Sequence, residues 1–255
     1  MNEKFAVEVA GLTDVGRQRE NNEDSYLYWE PSSAAELQRK GRLAIVADGM
    51  GGYEGGQEAS HLAVQTVCEV YDHNFRDNPQ ATLTEAFAEA QKRILDYAVH
   101  HPDLEGMGTT CTALALCSGR LYFAHVGDSR LYLVRASKIT RLTRDHSYVG
   151  RLVESGIVRP EDAETHPQRH ILTAALGVGT EVVPDTPESA MALEDGDVLL
   201  LCTDGLWGVM TEAEISAVVS KNPPAESCRA LVDLALEHGG PDNITLQILK
   251  IAVAS

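Results

Sequence analysis

Four aspartates stand beside apolar runs and small residues: Asp48, Asp128-Ser129, Asp204-Gly205 and Asp242-Asn243. The first is set in Leu43-Ala44-Ile45-Val46-Ala47-Asp48-Gly49-Met50-Gly51-Gly52. A short apolar run, long enough for one buried strand, there delivers a carboxylate into a glycine-rich turn. Gly49, Gly51 and Gly52 leave the backbone free to adopt positive φ and to approach a ligand closely. One Asp-Gly dipeptide by itself reads as an ordinary turn, because both residues dominate turns. Recurrence changes that reading. Strand ends that each present a carboxylate can converge on one spot, and a converged cluster needs cations to be tolerable.

Asp24, after Asn22-Glu23, is a fifth candidate ligand. None of the five sits in a His-rich or Cys-rich spacing, so these hard oxygen donors favour Mg²⁺ or Mn²⁺ over Zn²⁺. A pair of such ions is a known device for attack at phosphorus. Arg17 and Arg19 lie just before this acidic corner. A guanidinium beside a metal cluster suits a phosphate dianion, since its planar fork binds two oxygens at once. Either arginine alone reads better as a solvated surface residue.

The elements that must position these groups are legible around them. Phe5 to Gly11 alternates as a half-buried strand, Asp24 to Trp29 forms another, and Leu43 to Ala47 reads as a core strand. Pro31 to Gly41 reads as a polar loop or short helical insertion. Helical spacing runs from Gln57 to Tyr71, and Thr82-Leu83-Thr84-Glu85 has the form of a capping box opening the next helix. Thr109 to Cys117, Leu121 to Val126, Leu131 to Val134 and Ile139 to Leu142 are so closely spaced that they predict an antiparallel meander. Residues Ser147 to Pro187 read as an irregular surface segment holding one short helix, Tyr148 to Ser155. Strand Val198 to Thr203 follows, then helices Thr211 to Ser220, capped by Thr211 and Glu214, and Pro224 to His238, stopped by Gly239-Gly240. The last strand is Ile244 to Ile251. Strands flank helices at both ends, which predicts one α+β domain over residues 1–255, its antiparallel sheets layered on helices.

The net charge of −17, with no basic run, argues against nucleic acid or an anionic membrane as partner. No apolar run is long enough to cross a bilayer, and the start of the chain has no secretory pattern, so the cytoplasm is expected. Cys68, Cys111, Cys117, Cys202 and Cys228 are odd in number and scattered, and read as buried free thiols.

Eight motifs occur along the chain: Arg19-Glu20-Asn21-Asn22-Glu23-Asp24, Asp48-Gly49-Met50-Gly51-Gly52, Gly108-Thr109-Thr110, Val126-Gly127-Asp128-Ser129-Arg130, Thr143-Arg144-Asp145-His146-Ser147, Leu172-Thr173-Ala174-Ala175-Leu176-Gly177, Cys202-Thr203-Asp204-Gly205-Leu206-Trp207 and Asp242-Asn243-Ile244-Thr245. In this order they resemble the metal-dependent protein phosphatase (PPM, or type 2C) family, its compact bacterial branch in particular, from about Val7 to Leu249. The resemblance implies a four-layer α-β-β-α sandwich and dephosphorylation of phosphoserine and phosphothreonine in proteins, reversing a cognate Ser/Thr protein kinase. It implies two tightly bound Mn²⁺ or Mg²⁺ ions and a weaker third. Asp48 would bridge the two ions, and the Gly49 carbonyl would complete the shell of one of them. Asp204 and Asp242 would bind the other side of the pair, and Asp24 would act mainly through metal-bound water. Arg19 would hold the phosphate, and Asp128 would share the third ion with Asp204. Metal-bound hydroxide would attack phosphorus directly, and the protein would be a monomer. The segment 147–187 would be the family's flap, guiding protein substrates. The chain ends just after its last strand, so no kinase, sensor or membrane module is expected.

Met50 departs from the better-known animal enzymes, which carry a histidine there as proposed general acid; methionine cannot donate a proton. His125, His146 and His166 lie near motifs but read as structural or surface residues. Asp195-Gly196-Asp197 superficially resembles the paired aspartates of haloacid-dehalogenase-type phosphatases, but its apolar run follows it, so it reads as a turn entering a strand. A cation-binding regulator without activity would be expected to have lost ligands, and all the acidic positions are present.

Overall fold

The computed structural model describes residues 5–51, 53–163 and 166–253. Gly52 of the glycine-rich stretch, the first four residues, residues 164 and 165 of the 147–187 segment and the last two residues lie outside them. The chain begins with β1 (Phe5–Asp14), β2 (Asp24–Trp29), α1 (Ala34–Lys40), β3 (Arg42–Met50), α2 (Tyr53–His73) and α3 (Pro79–His100). It continues through β4 (Gly108–Thr109), β5 (Cys111–Cys117), β6 (Arg120–Val126), β7 (Arg130–Arg135) and β8 (Lys138–Arg141). Two short helices, α4 (Tyr148–Glu154) and α5 (Pro160–Ala163), precede β9 (Met191–Ala192) and β10 (Val198–Cys202). Then come α6 (Asp204–Trp207), α7 (Glu212–Val219), α8 (Pro224–Glu237) and β11 (Ile244–Val253).

Two antiparallel sheets result, β1-β11-β10-β7-β8 and β2-β3-β5-β6-β9, with β4 paired to β3. Leu43, Ile45 and Ala47 of β3 pack under Val67, Phe87 and Ile94 of α2 and α3. On the other face Ala44 and Val46 meet Leu199, Leu201 and Leu249 of the second sheet. Leu200, Leu246 and Ile248 cover the outer side of that sheet beneath Ile215, Leu231 and Val232 of α7 and α8. Both faces of β3 are therefore buried, which is why it reads as an unbroken apolar run. Its large side chains contribute about 2 kcal/mol each by leaving water. The sandwich is α-β-β-α, as the resemblance implies.

Several local expectations are corrected. The helix α3 is capped by Asn78, whose side chain accepts from Ala81 N at 3.1 Å, with Pro79 at its first position. Thr82 sits one turn inside and donates to Asn78 O, while Glu85 pairs with Arg76. Proline has no N–H to lose at a helix start, so it sets the boundary ahead of the capping-box pattern. The Thr211–Glu214 box does form. The meander is split: β5 pairs with β6 and β7 with β8, but the chain changes sheet between Val126 and Arg130. Gly127 makes that crossing at φ +109°, open to glycine alone without strain. The Pro31 to Gly41 stretch resolves into α1, and α5 is an unforeseen second helix in the 147–187 segment. All five cysteines are free, four of them buried and Cys68 only partly so.

Candidate active site

Strand alternation gathers the carboxylates at one end of the cleft between the sheets. On β3, Asp48 follows Ala44 and Val46 on the face toward the second sheet, so it lies within a strand and not in a turn. Asp24 is its direct partner across the β2–β3 ladder. From the other sheet, Thr203 follows Leu199 and Leu201 on the inward side and donates its hydroxyl to Asp24 Oδ2 at 2.8 Å. Asp204 then opens α6, Asp242 precedes β11, and Asp128 sits where the chain crosses between sheets.

The motifs around these residues hold their backbones. Thr110 N–H and the Thr109 hydroxyl both donate to Asp48 O at 2.9 Å, and Asp48 N–H donates to Thr110 Oγ1 at 2.9 Å. Thr110 Oγ1 in turn hydrogen-bonds Ser129 Oγ at 2.7 Å, tying Asp48 to the Asp128 crossing. Gly49 is required for close packing: a Cβ there would overlap Gly56 O of α2 and lie 2.6 Å from Glu23 O. Positive φ belongs instead to Gly51, at +126°. Asn243 accepts from Glu23 N at 2.8 Å and donates to Val15 O and Asn21 O, each at 2.9 Å. That staple fixes the loop bearing Arg19 and leading into Asp24 beside Asp242.

The electrostatics are those of crowded acids. Withdrawal from water, with Asp204 and Asp242 adding repulsion against the hydrogen bonds from Thr245 and Thr203, pushes Asp24 up to about 7. Burial and then Asp24 push Asp48 well above the usual carboxylate range, and burial and then Asp204 do the same to Asp128. Asp24 Oδ1 and Asp204 Oδ1 are buried and have no hydrogen-bond partner among the described residues. Such an orphaned oxygen costs on the order of 1–3 kcal/mol, more if charged. Among the described residues no three His, Cys, Asp or Glu side chains are already closed into a metal-holding group. The donor set is nevertheless all hard oxygen, crowded and short of positive charge, which fits a divalent cation.

Arg19 is half exposed and its Nη2 donates to Asp242 Oδ2 at 2.7 Å. Arg17 is committed elsewhere, its Nε donating to Leu236 O at the end of α8. Arg130 pairs with Asp145 and not with Asp128, which removes the simplest structural role for that aspartate. His125 is buried between Thr112 and Arg144 O, and His146 pairs with Asp185, as structural histidines do. Asp195-Gly196-Asp197 is a turn, with Gly196 at φ +82° and Asp197 accepting from Glu194 N. Thr203, Thr245 and Asn243 are site residues without a role in the sequence reading. So is His170, whose Nδ1 lies 3.6 Å from Asp204 Oδ2. The signal for Thr245 was the polar alternation Thr245, Gln247 in the last strand, whose polar face is buried. Gln247 Nε2 crosses there to Ile45 O at 2.6 Å.

A sequence model described as protein phosphatase 2C matches residues 16–234. The chain is 38% identical to the serine/threonine protein phosphatase PstP of Mycobacterium tuberculosis over 97% of its own length, and spans 45% of that protein. It is 36% identical to the protein phosphatase PhpP of Streptococcus pneumoniae, covering 96% of this chain and 98% of the relative. The crystal structure of the catalytic domain of PstP in complex with two manganese ions superposes with a TM-score of 0.84 at 34% identity, covering 98% of this chain and 100% of that one. Matching sequence from the loop of Arg17 to α8, over a shared two-sheet sandwich, settles the relationship: this chain belongs to the protein phosphatase 2C family.

Proposed function

We propose that this chain is a metal-dependent protein serine/threonine phosphatase. Asp48, the Gly49 carbonyl, Asp204 and Asp242 would hold two Mn²⁺ or Mg²⁺ ions, with Asp24 behind them and Asp128 sharing a weaker third site with Asp204. The observation that carries this is the pair of buried, unpartnered carboxylate oxygens, Asp24 Oδ1 and Asp204 Oδ1, brought from different sheets to one end of the cleft. Bound there, divalent ions acidify water and neutralise phosphoryl oxygens.

The protein's own groups do the rest. Three hydrogen bonds tie the Asp48 main chain to Thr109 and Thr110, two accepted by its carbonyl and one donated by its N–H, so a cluster built on it is preorganised. Arg19 uses one nitrogen on Asp242 and is half exposed, leaving other donors of its fork for a phosphoryl dianion. Met50 contributes no proton.

Protein phosphatase relatives at 36–38% identity support phosphorylated proteins as the substrate class. A cognate Ser/Thr kinase, a monomeric state, a cytoplasmic site and a single domain over residues 1–255 with a flap at 147–187 complete the proposal. No helix among the described residues is long and apolar enough to cross a membrane. The test is phosphate release from a phosphoserine peptide and from an aryl phosphate, each with EDTA, Mn²⁺ or Mg²⁺. Release from both that depends on the ion is expected. No release under any condition, or equal release in EDTA, overturns the proposal.

A further inference from the structure

We propose that the flap carries a second oxyanion pocket, which receives an acidic residue of the protein substrate close to the phosphorylated one. This rests on the phosphatase reading above.

The chain is strongly acidic, yet a cavity of about 320 Å³ is lined by Arg130, Arg141, Arg144 and Arg169 against only Asp145 and Glu212. Arg130 is the fixed wall. Its Nε and Nη2 take both oxygens of Asp145 at 3.0 and 2.7 Å, its Nη1 donates to Tyr132 Oη at 3.0 Å, and its guanidinium lies 3.5 Å over the Trp207 ring. Asp145 is thus already engaged on both oxygens, and Arg141 reaches it through one nitrogen at 3.3 Å. Arg144 is held by Asp185 and Glu154. Arg169, half-buried, forms no ion pair with any described residue. The Trp207 indole N–H is buried and has no acceptor among the described residues. Positive charge is therefore in excess inside a concave, partly desolvated site, where its field is focused. The forks of Arg141 and Arg169 suit a carboxylate or a phosphoryl group.

The pocket adjoins the acidic cluster. Trp207 lies on the single-turn helix that begins at Asp204, about 4.5 Å further along its axis. Arg169, also in the lining, precedes His170, which stands against Asp204. An extended peptide advances about 3.3 Å per residue, so the occupant is a near neighbour of the phosphoserine. Among the described residues, five of the seven large apolar side chains that stand exposed, Tyr148, Ile157, Ile171, Val178 and Val183, belong to the same 147–187 segment, with Tyr26 and Val99 elsewhere. Such a concentration suits a surface that meets a polypeptide.

The experiment compares kcat/KM of the Mn²⁺-loaded enzyme on phosphoserine peptides in which one Glu is walked within about four residues on either side, against the all-Ala parent. At one or two positions Glu should raise kcat/KM by roughly five- to tenfold. In Arg169→Ala, and independently in Arg141→Gln, that preference should fall to about twofold or less. An aryl phosphate, which has no neighbouring residue, reports on the acidic cluster alone. Its hydrolysis failing in the parent enzyme would sink the phosphatase reading itself. With aryl phosphate turned over normally, absence of any Glu preference, or a preference that survives both substitutions, overturns the pocket. So does a loss in the variants that is equal on peptides and aryl phosphate.

Discussion

Asp24 and Asp48 face one another as direct partners in the β2–β3 ladder, on the side that meets the other sheet. Like charges opposed across a strand pair destabilise it, and burial makes the repulsion stronger. Asp48→Asn keeps the strand and removes one of the two charges. In EDTA the variant should melt higher than the parent, since relieving about 1 kcal/mol raises Tm by about 2–4 °C in a chain of this size. Turnover should fall to background and Mn²⁺ should stabilise the variant less than the parent. Calorimetric scans with and without Mn²⁺ decide it; a lower Tm in EDTA means Asp48 is not repelled in the folded chain.

The pH dependence of stability should reverse sign with metal. Without divalent ions Asp24 titrates at about 7, and Asp48 and Asp128 are also raised. From the ordinary carboxylate value of about 4 upward, the folded chain then holds more protons than the unfolded chain, so stability falls as pH rises. His125 acts in the opposite sense. Burial first, and His146 next, lower it to about 4. The unfolded chain takes up that proton from about pH 6.5 downward, so stability due to His125 is full above that value and lost toward pH 4. In EDTA three carboxylates outweigh one imidazole, and Tm should decline between about pH 4.5 and 7. Saturating Mn²⁺ holds the carboxylates ionised, and Tm should climb over the same range. Equal slopes in the two conditions contradict the cluster.

Much of this was legible in the chain. Aspartates at the ends of apolar runs located the acidic groups, whether the run precedes the aspartate, as at Asp48 and Asp204, or follows it, as at Asp24 and Asp242. That Asp48 lies within β3 and not in the turn after it came only with the structure. What stayed hidden was nonlocal. A run such as Leu121 to Val126 announces a strand but not its sheet, so the crossing at Gly127 read as a meander. Asn78-Pro79 overrode the Thr82 pattern because a proline's lost N–H matters less at a helix start than anywhere inside. Thr203 gains its role only when the sheets stack and its hydroxyl meets Asp24. His170 reaches Asp204 on a segment tied down by isolated bridges, Ser147 to Leu172, Thr109 to Leu176 and His125 to Asp185, which no local pattern announces.

Thr203→Val tests that stacking directly. The substitution preserves shape but removes the donor to Asp24 Oδ2, and it leaves Thr245 N–H without its acceptor. Mn²⁺ affinity should weaken by about tenfold, as expected when a hydrogen bond orienting a ligand is lost. Titration calorimetry reads it, with Tm in EDTA as the control for packing. Unchanged affinity means Asp24 is oriented by other groups.

Arg19→Ala should raise KM for a phosphoserine peptide by about tenfold and lower kcat less, if the fork binds ground state and transition state alike. Steady-state kinetics at saturating Mn²⁺ separate the two constants. A normal KM assigns the phosphate contact elsewhere, and Arg17 would first have to leave Leu236 O to take it.

Turnover followed against bound manganese tests the metal centre most directly. The protein is stripped with EDTA, its metal content measured, and Mn²⁺ returned in steps while phosphate release from a phosphoserine peptide is recorded. Activity should be at background in the stripped chain, should rise with occupancy, and should reach most of its maximum once two ions are bound. Full phosphate release from a chain shown to hold no metal would contradict the assignment of Asp48, Asp204 and Asp242 as the ligands that make hydrolysis possible.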